Sequence, residues 1–346
     1  MILKFKILQN NAIPWNIIEG CYDQTVFKTR EWFDFLVESR QIELFIVEIS
    51  ESDKLIGYFI GGKFSRLFSI VASPFEGWTT AYQGLSLLIQ VSVGARLEIY
   101  ESLIAYLFKN NICSFFQASD WQLNLEELSK SNMKFELIKG YNIDLRQSEE
   151  QIYKKFSSSS CQYAIRKSQK NGVVIREATD HDQFVRHYYE QLTEVFLKQQ
   201  LKPTYNSERV KLLIENLYDS GKLLLLEAIS SEGVCMATGI FVGDNHLAYF
   251  WGGASYSKYQ SLCPNEPIIF EAIKYWKRRG CTDFDLGGIR KYKEKYGPDY
   301  FEKPKIIMSK YPLLMTVRGM AKRSYYGFRH FYAQVRIFIK GEKTRV

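Results

Sequence analysis

Nothing in this chain approaches the ~18 consecutive apolar residues that a membrane-spanning helix needs. The N-terminus also lacks the basic, apolar and small-residue zones of a secretory leader. A cytoplasmic protein is therefore expected. Histidine is scarce: the four residues at 181, 187, 246 and 330 are scattered, and the six cysteines contain no C-x-x-C pair. A tetrahedral zinc site needs clustered Cys and His ligands, so no metal is expected and reduced, structural thiols are the reading. No local signature marks a Cys/His nucleophile.

Strong charge is absent as well, except in one place. Residues 316–346 hold Arg318, Lys322, Arg323, Arg329, Arg336, Lys340, Lys343 and Arg345 against the single acid Glu342. Nearly all of the formal net charge of +8 sits in this tail, and the rest of the chain is close to neutral.

What is present is a globular composition, 46% hydrophobic and 24% charged, in 346 residues, which is room for two domains with their own cores. The two halves repeat one order of parts. In the first, a helical stretch at 29–40 precedes apolar runs at 42–49 and 55–60 joined by a polar turn. In the second, a helical stretch at 208–218 precedes runs at 223–229 and 234–242, again joined by a polar turn. These runs are rich in branched and aromatic residues and read as hairpins. Each half then closes with a helix and a short strand, at 102–111 with 112–117 and at 267–280 with 281–286. A duplicated α/β unit predicts two mixed-sheet lobes flanked by helices, over 1–145 and 146–312. A ligand cleft at or between the lobes follows.

Between the closing strand of one half and the hairpin of the next, the pattern predicts a strand at 141–145 and helical stretches at 148–157 and 162–171. The serine run 157–160 between them reads as a linker or cap, or as a helix start offering hydroxyl and N–H groups to an anion. A longer helix is expected at 179–199 with Thr179 as its N-cap. Irregular segments around 74–77 and 79–84 leave strand limits open in 65–95. The tail 313–346, drawn as a helix, collects Val317, Met320, Ala321, Tyr325, Phe328, Phe331, Tyr332, Val335, Phe338 and Ile339 on one face beside a stripe of cations. Three readings stand for it: an interfacial helix on anionic lipid, a helix packed on its own domain, or a nucleic-acid contact.

From residue 247 the sequence becomes distinctive. Tyr249-Phe250-Trp251-Gly252-Gly253-Ala254-Ser255 ends a strand in a glycine turn, and Asn265-Glu266-Pro267 opens a helix. Next, Phe284-Asp285-Leu286-Gly287-Gly288 makes a short strand with a glycine pair. Tyr292-Lys293-Glu294-Lys295-Tyr296-Gly297 follows. Together with Phe27…Glu31-Trp32 and the basic stretch Tyr163-Ala164-Ile165-Arg166-Lys167, this ordered block resembles the Fem-type peptidoglycan aminoacyltransferases. It is similar also to the GNAT-like acetyltransferase domains of cell-envelope and polysaccharide gene clusters. The likeness spans roughly residues 25–312 by length of a two-domain chain. Tyr stands twice where the family's FK-x-x-FG motif has Phe, and no R/Q-x-x-G-x-G/A pyrophosphate loop is visible.

The resemblance implies two tandem GNAT folds. In that fold two parallel strands splay, here those at 247–251 and 282–286, and free backbone N–H groups face an acyl carbonyl. Acyl transfer to an amine needs a neutral nucleophile, an oriented ester or thioester, and donors where the oxyanion forms. Lys293 stands at the family motif's lysine and is implied to stabilise the tetrahedral intermediate or hold the donor, against the plainer reading of a solvated loop lysine. Asp285 is the candidate proton acceptor, or else an ion-pair partner of Arg290 or Lys293. Tyr249, Trp251, Gly252, Ser255, Gly287, Gly288, Tyr292 and Gly297 are candidate substrate contacts, against the plainer reading of sheet-face packing for Tyr249 and Trp251. Arg166 and Arg30 are candidate phosphate contacts, against that of a solvated basic face. The expected activity is transfer of an acyl or aminoacyl group, from acyl-CoA or aminoacyl-tRNA, to an amine of a lipid-linked or nucleotide-sugar envelope precursor. The expected setting is the inner membrane face, with the tail touching anionic lipid. The rival readings are a non-catalytic adaptor of an envelope-synthesis complex and an RNA-binding protein.

Overall fold

A computed structural model describes residues 2–65 and 68–313, with Thr316, Gly319, Met320 and Ser324 as isolated positions beyond them. The expected basic amphipathic helix over 313–346 lies almost wholly outside the described residues. Among the described residues no helix is long and apolar enough to cross a membrane.

Thirteen strands form one continuous mixed sheet. They are β1 (Leu3–Ile7), β2 (Glu43–Glu51), β3 (Lys54–Ser65), β4 (Ser69–Ser73), β5 (Gly84–Leu87), β6 (Phe115–Ser119), β7 (Phe135–Asp144), β8 (Val174–Glu177), β9 (Leu223–Ile229), β10 (Cys235–Asp244), β11 (Leu247–Ser255), β12 (Asp283–Gly288) and β13 (Asp299–Ser309). The helices are α1 (Trp15–Glu19), α2 (Arg30–Arg40), α3 (Val93–Lys109), α4 (Leu125–Ser129), α5 (Glu149–Lys155), α6 (Tyr163–Lys170), α7 (His181–Lys198), α8 (Ser207–Leu217) and α9 (Asn265–Arg278). Strand order across the sheet is β1-β2-β3-β4-β6-β13-β7-β12-β11-β10-β9-β8, with β5 added to β3. The fold is the expected one: two mixed α/β units in tandem.

Local chemistry accounts for the elements. Thr29 caps α2 by accepting from the Trp32 N–H, and Ser148 and Gln151 form a reciprocal capping box on α5. β9 is apolar nearly throughout and buried on both faces, as a central strand must be. Two details differ from expectation. Asp180, not Thr179, caps α7, because its carboxylate reaches the Gln183 N–H at 2.8 Å. The serine run is no linker: Ser158–Gln162 wind as a wide helical turn directly into α6, and the Ser157 N–H donates to Lys295 O.

The halves are knitted together at their join. β7 pairs with β12 on one side and β13 on the other, and β13 continues the sheet into β6 of the first half. The proposed division at residue 145 thus falls at the end of a strand whose neighbours both come from the second half. On one side of the sheet, Trp32, Phe35 and Tyr58 pack in one apolar cluster with Tyr188, Leu213, Ile240 and Trp251. Each half keeps a separate core on the other side. Such a shared interior ties the lobes into a single body. All six cysteines are unpaired thiols, and all but Cys263 are buried.

Candidate active site

The site begins where β11 and β12 part. They run parallel and pair only at Leu247↔Asp283, Ala248↔Phe284 and Tyr249↔Asp285. Beyond that point β11 continues to Ser255 on β10 alone. β12 turns away, with a register shift against β7 between Asp285 and Gly288. Gly287 makes that turn with φ +75°, a conformation that side chains rarely adopt. A second irregularity lies in β11. Its register against β10 steps from Phe250↔Phe241 to Gly252↔Ile240, so Trp251 is an extra, bulged residue. Past Tyr249 the edge of β11 facing β12 has no strand partner among the described residues, which leaves backbone groups open to a ligand.

Two clefts adjoin this splay. One, of about 330 Å³, lies between β11 and α9 and is lined by Phe250, Gly253, Ser255, Ile268, Glu266 and Tyr292 among others. The other, of about 190 Å³, lies between the lobes. Its floor is Tyr249, Asp285, Gly287 and Gly288 from the second lobe, and its walls are Thr80, Ala81 and Tyr82 from the first, with Ile138, Gly140 and Phe301. Gly140 lies under the Phe301 ring; a Cβ there would fall 2.5 Å from it and the ring would have to shift. Successive β11 residues thus serve different clefts: Phe250 faces the first and Tyr249 the second, as strand alternation demands.

Lys293 stands at the junction. It is 7% exposed. Its Nζ donates to Leu286 O and to Gly288 O at 3.0 Å, and lies 5.8 Å from the Phe250 and Tyr292 ring centres. Burial pulls its pKa down to about 8, against the opposing pull of Asp285. An ammonium has three protons; two are spent on carbonyls and one remains.

Asp285 is fully buried. Its Oδ1 accepts from the Gly287 N–H at 2.6 Å and its Oδ2 from the Tyr82 hydroxyl at 3.0 Å. Burial pushes its pKa up to about 6, and the two hydrogen bonds and Lys293 pull the other way. It makes no ion pair with Arg290 or Lys293. Burial, with Asp285 beside it, also raises the Tyr249 phenol.

The other expected site residues divide. Tyr249, Gly287 and Gly288 line the inter-lobe cleft, and Ser255 and Tyr292 line the cleft along α9, where Ser255 Oγ accepts from Asn265 Nδ2 at 3.1 Å. Trp251 does not line either cleft; it is buried in the shared core against Tyr205. Gly252 faces the Tyr188 hydroxyl, where a Cβ would collide at 2.3 Å. Gly297 caps the turn after Lys293 at φ +56°, with Lys155 O too close for any side chain. It serves packing. Arg166 is exposed on α6, and Arg30 is exposed at the start of α2, paired with Asp34. Neither lines the clefts.

Four residues of the site are not among the sequence candidates. Tyr82 and Phe301 enter only through sheet topology, whereas Phe250 and Glu266 lie inside the motif stretches. Glu266, in the first turn of α9, lines the α9 cleft and pairs with Lys295. The one available hint for Tyr82 was its place in a long irregular segment inside a sheet, a common position for functional loops.

Comparison with known proteins agrees with this geometry. Residues 157–300 match the acetyltransferase (GNAT) domain family. Over 75 residues the chain is 29% identical to the lipid II:glycine glycyltransferases of two Staphylococcus epidermidis strains. That stretch is 22% of this chain and only 18% of each relative. The crystal structure of FemX superimposes with a TM-score of 0.71 at 10% identity, covering 91% of this chain and 99% of FemX, which establishes a common fold.

Proposed function

We propose that this chain, a GNAT-domain protein with the fold of FemX, transfers an acyl or aminoacyl group to an amine of a cell-envelope precursor. The observation that carries the reading is the parting of β11 and β12 just beyond Tyr249 and Asp285, with one cleft on each side. Lys293 lines neither cleft itself but donates to Gly288 O of one and lies 5.8 Å from the Phe250 and Tyr292 ring centres of the other.

In this reading the activated ester or thioester lies in the cleft along α9, and its carbonyl reaches the splay. The acceptor amine enters from the inter-lobe cleft. Asp285, with its pKa near neutrality, takes the proton that the attacking nitrogen must lose. The remaining Lys293 proton meets the oxyanion as the C–N bond forms, an interaction worth roughly 10²–10³ in rate. Collapse of the tetrahedral intermediate breaks the bond to the leaving oxygen or sulfur, which takes up a proton.

The donor is an aminoacyl ester in preference to a coenzyme A thioester. A pyrophosphate is ordinarily held on the N-terminus of a helix, but the first turn of α9 carries the Glu266 carboxylate. That carboxylate pairs through Oε1 with Lys295 of the same cleft, and its other oxygen suits the ammonium of an aminoacyl group. The short likeness to lipid II:glycine glycyltransferases supports an aminoacyl group as cargo and, of a lipid-linked or nucleotide-sugar acceptor, the lipid-linked one. Action at the inner membrane face, with the basic tail 316–346 on anionic lipid, is part of the proposal.

Calorimetry with acetyl-CoA and with uncharged tRNA tests it. Saturable tRNA binding without coenzyme A binding is the expected result. Coenzyme A binding alone would reassign the donor, and silence from both would favour a non-catalytic adaptor.

A further inference from the structure

Asp285 is held from the other lobe. The Tyr82 hydroxyl that donates to Oδ2 lies 203 residues away in sequence and is the carboxylate's contact from outside its own domain. It reaches there because of a large excursion in the first lobe. β4 and β5 both pair with β3, yet the register jumps from Gly62↔Ala72 to Ile60↔Gly84. Residues 73–83 therefore stand opposite Gly61 alone and project towards the second lobe.

The excursion is firmly tied. Thr80 Oγ1 accepts from Trp32 Nε1 at 3.1 Å. The Gln83 N–H donates to Ser119 O at 2.8 Å and its side chain to Phe27 O at 3.1 Å. Arg209 of α8, itself buried, donates to Trp78 O and to Thr79 Oγ1. The Tyr82 ring packs edge-on against Trp121 at 4.9 Å. A phenol held by its chain on both sides and by its ring is a fixed donor.

We propose that Tyr82 is a positioning residue for Asp285: from the first lobe it orients the carboxylate towards the cleft and favours its charged, proton-accepting form. The inference rests on Asp285 being the proton acceptor proposed above. The groups facing Asp285 are Tyr82, Tyr249 from β11, Lys293 from the following turn, Asp283 and the Gly287 amide from its own strand, and Asn142 opposite on β7. A hydrogen bond to the charged form lowers a carboxyl pKa. Removing the hydroxyl must therefore move the titration upward, whereas a merely space-filling tyrosine would leave it in place. One consequence is that the domain matched at 157–300 does not contain the whole site.

The experiment is carboxyl ¹³C NMR of the full chain labelled at aspartate, with the Asp285 signal assigned by its loss in Asp285→Asn. In Tyr82→Phe the midpoint is expected to rise by roughly one to two pH units, the size of a hydrogen bond to a charged group. Tyr205→Phe, which removes a hydroxyl bonded to Tyr188 and not to Asp285, should leave it unmoved. An unchanged midpoint in Tyr82→Phe, with thermal melting showing an intact fold, overturns the proposal. Rates are then measured with glycyl-tRNA and with acetyl-CoA as donor and a lysine peptide or glucosamine as acceptor. The acid limb of kcat/KM should move with the midpoint in Tyr82→Phe, with KM for the donor unchanged. A dead Asp285→Asn beside an unmoved limb in Tyr82→Phe refutes the role of Tyr82 alone. An active Asp285→Asn refutes the reading of Asp285 and the positioning role with it.

Discussion

The two lobes use the same β-hairpin, parallel strand pair and helix, and they treat the space between the pair in opposite ways. In the second lobe β11 parts from β12 and leaves a cleft. In the first, β4 runs parallel with β6 through Ile70↔Phe115 to Ser73↔Ala118, and its continuation β5 meets a buried ionic cluster. Leu85 N–H donates to the Tyr100 hydroxyl at 3.1 Å, Leu85 O accepts from Lys28, and Leu87 N–H donates to Asp23. Arg96 joins Asp23 to Asp120, and all of these side chains are buried. Backbone groups that the second lobe leaves open are thus occupied by side chains in the first. The bulge differs in the same sense: one residue, Trp251, in β11 against the excursion 73–83 between β4 and β5. The first lobe has closed its own site and lends Tyr82 to its neighbour's. The two frames are alike, and the filling of each decides which one keeps an open cleft.

The contrast is broken most severely at Arg96. Arg96→Met leaves Asp23 and Asp120 as buried carboxylates facing no guanidinium, which should cost roughly 3–5 kcal/mol. A denaturant melt would register it, and kcat of the folded fraction should not change. A stability loss below about 1 kcal/mol would mean that the cluster is not what closes the first lobe.

Lys293 should behave the other way. Lys293→Met is expected to lower kcat by roughly 10²–10³ while the fold stays intact, since a buried ammonium is replaced by an apolar chain of similar length. Retained turnover would remove the lysine from the chemistry.

Asp285→Asn sharpens the comparison through pH. The folded pKa of Asp285, about 6, lies above the ordinary carboxylate value, so the stability it contributes is present in acid and lost as pH rises through about 6. The asparagine variant should be more stable than the parent by about 2–3 kcal/mol at pH 8 and equal to it at pH 4. Equal melting temperatures at both pH values would argue against a charged, buried carboxylate. The smallest effect is expected at Arg30. Arg30→Ala removes an exposed pair with Asp34 and should change stability by less than about 0.5 kcal/mol, with kcat/KM unaltered.

Much of the scaffold was legible because it is local. The run expected at 223–229 is β9, and the helix expected at 29–40 is α2 with Thr29 as its cap. That Lys293 and Asp285 lie near each other was also legible, since the glycine pair and the lysine motif lie close together in one stretch; their roles are part of the proposal. Trp251 follows the plainer of its two readings: it packs on the sheet face, on the same side as Leu247 and Tyr249, in the shared core and not against a ligand. β13, absent from the expected pattern, joins the two halves of the sheet.

By itself, then, the sequence determined the kinds of elements, their order and the cluster of residues around the second glycine pair. These depend on periodicity, capping and backbone freedom, all of which act over a few residues. Only the tertiary structure decided which lobe keeps an open cleft, that Lys293 is buried, and that Asp285 meets Tyr82. Those outcomes depend on register and packing between segments as much as 203 residues apart, where no short-range pattern constrains the pairing.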